Sequence, residues 1–194
     1  LLMLGFYIFM VSMGAKPLIS AAAALAYALG SYNIIIIAVG HITKAWAMAM
    51  MAPVLGGMIM VFRRKRLAGA AIFTVALGLQ INFNHIQITY YTMLAAFVLG
   101  ICFLVYAVKD KGLKDFSFAC GILLLCAVVS LMPNSSHLKL NSEYVKHTMR
   151  GGSELTIKTN QASQSQSNNK GLSIDYAYAW SYGLGESFSV IIPD

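Results

Sequence analysis

Val39-Gly40-His41-Ile42-Thr43-Lys44 is a short polar stretch between two apolar runs, 18–38 before it and 45–62 after it. Lys44 is one of only six charged residues ahead of Lys109, the others being Lys16 and Arg63-Arg64-Lys65-Arg66. A lysine and a histidine three residues apart at the end of an apolar span are costly to hold in lipid. They persist where they line a polar cavity or grip an anion. They persist equally as a lysine whose stem snorkels to the interface and a histidine that closes a turn. Either reading puts the stretch where the chain leaves a membrane, and that decides the fold class.

Composition agrees with that placement. The 194 residues are 58% hydrophobic and only 11% charged, with a mean hydropathy of +0.69, whereas a soluble domain carries about 25% charged residues. The shortage falls on residues 1–132, so an integral membrane region is followed by a wetter tail. The net charge of +7 is no nucleic-acid signal, because the basic residues sit in short clusters between apolar runs, the pattern that orients membrane proteins. Cys102, Cys120 and Cys126 all lie inside apolar segments and read as small hydrophobes, without the spacing of a disulfide or metal framework.

Six apolar segments can be marked: 1–13, 18–38, 45–62, 67–79, 89–108 and 116–132. The first is short of the roughly 20 residues a span needs. Pro17 suits the first position of a helix. Ala21-Ala22-Ala23-Ala24 lets neighbouring helices approach closely. Gly30-Ser31-Tyr32-Asn33 interrupts the second segment, either as a kink or as the broken helix of a membrane binding site. Pro53 and the Gly56-Gly57 pair fall inside the third segment, where Met48, Met50 and Met51 read as adaptable packing. If the segments alternate, Lys16, Arg63–Arg66 and the basic residues of 109–114 share one side, eight residues in all, whereas the short loops on the other side hold only Lys44. The positive-inside rule makes the first side cytoplasmic. His41, Lys44, the polar patch Gln80-Ile81-Asn82-Phe83-Asn84-His85-Ile86-Gln87 and residues 133–194 are then extracytoplasmic.

The fold expected is an all-α polytopic transmembrane bundle, with an extracytoplasmic segment of mixed or irregular structure at 133–194. Residues 159–170 are low-complexity and read as flexible. Tyr176, Tyr178, Trp180 and Tyr182 alternate as on one face of a strand or on a loop at the membrane surface. Leu1 opens mid-run and Ile192-Pro193-Asp194 closes as a strand entering a turn, so a chain continuing on both sides is expected. No nucleophile elbow, phosphate loop or zinc-spaced cysteine cluster is present. Asn84, His85 and Gln87 offer donors and acceptors for sugar hydroxyls or a phosphate, or else meet interfacial water. His41 and His85 alone are weak evidence for a metal, and none is expected. Arg150, Glu143, Glu154, Asp175 and Glu186 supply the tail's remaining charge.

Four ordered motifs then carry a resemblance: Gly40-His41-x-x-Lys44, Asn84-His85-x-Gln87-x-x-Tyr90-Tyr91, Arg150-Gly151-x-Ser153-Glu154-Leu155, and Ser181-Tyr182-Gly183-x-x-Glu186-Ser187-Phe188 with Ile192-Pro193. Together the chain resembles the YfhO family of large bacterial multi-spanning membrane proteins, similar in architecture to GT-C glycosyltransferases. The resemblance implies a protein of the bacterial cytoplasmic membrane that moves a sugar from a polyprenyl-phosphate donor to an envelope glycan or lipid at the outer face. No cofactor and no nucleic-acid partner is implied. A carboxylate would act as general base, while cations and hydrogen-bond donors steady the departing lipid phosphate. His41 and Lys44 would face the phosphate, Asn84, His85 and Gln87 the sugar or phosphate edge, and Arg150 would add a second cation. The base would lie in an outer loop upstream of Leu1, which leaves it unnamed and this chain alone inactive. Two other classes stay open: a transporter or flippase of a lipid-linked anion, built on the broken helix, and a non-enzymatic envelope assembly factor.

Overall fold

The computed structural model describes residues 1–146 and, beyond them, Tyr178. Arg150, Glu154, Asp175, Glu186, the 159–170 stretch and the alternating aromatics, apart from Tyr178, therefore lie outside the described residues. The chain divides into a compact unit of residues 1–136 and a second unit of residues 137–194.

Every regular element among the described residues is helical: α1 (Leu2–Met13), α2 (Pro17–Ala28), α3 (Ser31–Ala38), α4 (Ile42–Phe62), α5 (Arg66–Asn82), α6 (Ile86–Lys109) and α7 (Leu113–Leu131). A single 3₁₀ turn, Met132–Asn134, leads to α8 (Ser135–Lys146). The α-helical bundle expected from the apolar segments is present. Among the described residues, three helices are long and apolar enough to cross a membrane: α4, α6 and the run Leu113–Val145 that contains α7. A fourth span forms if α2 and α3, bent by 47° at their break, count as one.

Four helices end in the same way. After α1, Gly14 N–H bonds Val11 O and Ala15 N–H bonds Met10 O, with Gly14 in the left-handed region. The pattern repeats at Gly40, at Arg64 and at Lys111, each satisfying carbonyls that a helix end leaves open. Glycine takes this conformation freely, whereas Arg64 and Lys111 take it against their side chains. The break between α2 and α3 has its own staple. Asn33, buried, donates from Nδ2 to the Tyr27 carbonyl at 2.7 Å, so Gly30 and Asn33 together make a fixed bend.

α4 is the axis of the bundle, with Ala47, Ala49, Val54 and Val61 all but sealed from solvent. Its glycine pair faces two neighbours at once. A Cβ on Gly56 would meet Ser12 Oγ of α1 at 2.8 Å, and one on Gly57 would meet the Phe73 nitrogen of α5 at 2.6 Å. Gly69 answers from α5, where a Cβ would lie 2.7 Å from the Val61 nitrogen. Backbones in contact across small residues are how helices associate in the absence of a hydrophobic drive between them. α7 is fastened to α5 by buried hydroxyl and amide groups. Ser130 Oγ donates to Thr74 O at 2.9 Å and Asn134 Nδ2 to Gly78 O at 3.0 Å.

Large apolar side chains also cover much of the outer surface. In the spanning window of α6 only 6% of residues are buried, and Leu94, Phe97, Val98 and Val105 point outward. An apolar surface of that extent belongs against lipid or another chain. Of the three cysteines only Cys126 is buried; Cys120 is half-buried and Cys102 exposed.

Candidate functional site

The polar stretch at residue 40 and the polar patch at residue 85 come together at one end of the bundle. Gly40, at a left-handed φ of 88°, ends α3 and turns the chain into His41, which precedes the first residue of α4. Asn84, at φ 55°, ends α5 and turns the chain into His85, which precedes the first residue of α6. Two helices therefore begin here. Neither has a side-chain cap nor an acidic residue in its first turn. Helix starts of this kind present backbone N–H groups and partial positive charge, which favour an anion.

The side chains add to that potential. The His85 imidazole is held below the ordinary histidine range, first by partial burial and then by the positive charge of Lys44 and His41. Three potential cations from two separate turns thus lie within electrostatic reach of one another. Lys44 is half-buried, and its ammonium sits 5.6 Å from the centroid of the Tyr32 ring, which ties α3 to α4. Trp46, one turn into α4, packs against Phe83 with centroids 5.4 Å apart and couples the two turns mechanically. Asn84 and Gln87 are exposed beside His85, and Gln87 Nε2 donates to the Tyr91 hydroxyl at 3.0 Å. Among the described residues no group of three or more His, Cys, Asp or Glu gathers, so His41 and His85 bring no further metal ligand with them.

Beneath this end lies a residue that in sequence is only one member of the polar patch. Gln80 is fully buried, and its Nε2 donates to Ala47 O of α4 at 3.1 Å and to Thr92 Oγ1 of α6 at 2.8 Å. Thr92 in turn donates to Ile88 O, and Gln80 Oε1 is left without a partner. The signal for it was helical spacing: Gly69, Phe73, Ala76, Leu77 and Gln80 form one buried stripe on α5.

The opposite end is basic and separately braced. Arg63 Nη1 donates to Met13 O at 2.8 Å, while Arg64 and Arg66 both pair with Asp115. The 21 residues of α4 put about 32 Å between the two ends at 1.5 Å per residue, close to the ~30 Å of a bilayer's hydrocarbon core. No family model matches the chain, and no curated protein or solved structure matches it either.

Proposed function

We propose that this chain belongs to a membrane glycosyltransferase-like protein of the YfhO and GT-C type, and that the end formed by His41, Lys44 and His85 grips the phosphate of a polyprenyl-phosphate-linked sugar. The observation that carries this reading is the gathering of those three groups, from two turns 44 residues apart in sequence, where two uncapped helices begin. An ammonium and two imidazoles around helix starts stabilise charge as it develops on a departing lipid phosphate. Asn84 and Gln87 lie at the rim, suited to sugar hydroxyls. The general base for the acceptor hydroxyl is not among the residues assigned. On this reading the Arg63–Arg66 end is cytoplasmic and the His41–His85 end faces outward, in the bacterial cytoplasmic membrane.

The test is sugar transfer from a polyprenyl-phosphate donor by membranes carrying the intact protein. Lys44→Ala should abolish transfer, and Lys44→Arg should keep part of it, because the charge survives with altered geometry. Undiminished transfer by Lys44→Ala at equal membrane abundance would return Lys44 to the role of an interfacial anchor.

A second reading, transport of a lipid-linked anion, has one observation on its side: the 47° bend between α2 and α3, the form that broken helices take at transporter sites. Against it, the buried amide at that bend is committed to the Tyr27 carbonyl. Movement of the labelled lipid across vesicles without any acceptor would favour this second reading.

A further inference from the structure

Between α6 and α7 runs an open apolar groove of about 560 Å³, with Met93, Phe97 and Leu104 on one wall and Cys120 and Leu124 on the other. From Met93 to Leu104 it extends about 17 Å at 1.5 Å per residue, which is about half of a ~30 Å hydrocarbon core. A second cavity of about 250 Å³ opens below it at the helix ends and shares Phe62 and Phe116 with the groove. The stripe of α6 that lines the groove at Ala96 and Gly100 continues into this mouth at Phe103, Ala107 and Asp110.

The mouth displays both signs of charge. Arg64 lines it, and so do Asp110 and Asp115. Asp115 is engaged by Arg64 Nη2 at 2.5 Å and by Arg66 Nη2 at 2.9 Å. Asp110 forms no ion pair among the described residues.

We propose that groove and mouth together hold one phospholipid with a zwitterionic, primary-amine head group, of the phosphatidylethanolamine kind. An acyl chain fills the groove, the phosphate lies at Arg64, and the ammonium donates to Asp110. Length favours a lipid over a docked helix. Groove and mouth together run from Met93 to Asp110, about 26 Å at 1.5 Å per residue. That is little more than one leaflet with its head groups, roughly 20–22 Å, whereas a helix would pack along the whole span. Charge selects the head group. A primary ammonium donates up to three hydrogen bonds, a choline head donates none, and a glycerol head brings no cation for Asp110. The proposal rests on the chain lying in a membrane, and is independent of the reading of the His41–His85 end.

The test is native mass spectrometry of the full chain in detergent, with equimolar phosphatidylethanolamine, phosphatidylcholine and phosphatidylglycerol. A one-lipid adduct is expected, with phosphatidylethanolamine favoured about tenfold, the ratio a single lost charge-assisted contact produces. Asp110→Asn, at an exposed position that tolerates it, should bring phosphatidylethanolamine level with phosphatidylcholine while an adduct persists. Gly100→Phe, which fills the groove and alters no charge, should remove the adduct. Lys65→Ala, next to Arg64 in sequence but outside the cavity, should leave the preference intact. Equal adducts of all three lipids would overturn the proposal, as would a preference for phosphatidylglycerol. Loss of preference in Lys65→Ala matching that in Asp110→Asn would reduce it to diffuse surface charge. A dimer in the wild type that Gly100→Phe converts to monomer would make the occupant a second copy of the chain.

Discussion

His85 is where the cationic end reports on its own electrostatics. Its imidazole pKa is lowered by burial first, then by Lys44 and His41. A base with a depressed folded pKa holds fewer protons folded than unfolded. The contribution of this group to stability therefore rises with pH between its folded value and the ordinary 6.5, and falls as pH drops through that window. A bound anion acts in the opposite sense, raising the imidazole pKa so that binding takes up a proton. An NMR titration of the His85 ring should move upward in Lys44→Ala, part of the way only, since burial is the larger cause. Inorganic phosphate should move it upward in the wild type. A ring titration indifferent to both changes would mean that the three groups do not form one site. Gln80 makes the complementary residue-scale case. Gln80→Met keeps the volume and deletes the orphaned Oε1, while Thr92 retains its bond to Ile88 O. Unfolding in micelles should place it within about 1.5 kcal/mol of the wild type. Gln80→Ala, which opens a cavity, should cost about 2 kcal/mol or more.

Among the elements, the contact of α4 with α5 through Gly57 and Gly69 has little room to give. A Cβ at either glycine meets backbone on the other helix, at 2.6 Å from Phe73 N and 2.7 Å from Val61 N, so the helices must separate. Gly57→Ala should destabilise by about 1–3 kcal/mol. Gly121→Ala, on α7 with nothing within 4 Å, should be neutral or stabilising by up to about 1 kcal/mol. Equal melting shifts for the two variants would refute the close packing. Much at this scale was readable in advance. Gly30-Ser31-Tyr32-Asn33 announced an interruption because glycine and a local hydrogen-bonding side chain disfavour a continuous helix. The basic loops announced their common end by parity, and the Arg64–Asp115 and Arg66–Asp115 pairs are the long-range form of that pattern. What could not be read was which polar residues turn inward. Gln80 and Asn84 are four residues apart in one patch, yet α5 ends between them and sends the first into the core and the second to the surface. Asn134, in a sequon-like Asn-Ser-Ser, is 2% exposed and donates to the Gly78 and Ser130 carbonyls. That partnership depends on a glycine 56 positions away, which no local pattern carries.

At the scale of the whole molecule, an apolar-surfaced bundle has a basic end, braced by Asp115 and by Arg63 on the α1 carbonyls, and a smaller cationic end with two helix starts. On the proposed reading, the eight-to-one division of basic residues among the short loops of residues 1–132 puts the basic end in the cytoplasm by the positive-inside rule. In intact cells an impermeant thiol reagent should label Asn84→Cys and spare Lys65→Cys, in a background with the native cysteines replaced. Labelling at Lys65→Cys alone would invert the orientation. The central claim, that Lys44 and its two histidine neighbours grip a lipid-linked phosphate, is tested most directly by equilibrium binding of a polyprenyl phosphate to the purified protein in micelles. Loss of a charge-assisted contact worth about 1.5–3 kcal/mol should weaken binding about 10- to 100-fold in Lys44→Ala, with Lys44→Arg nearer the wild type. Binding by Lys44→Ala as tight as that of the wild type would contradict it.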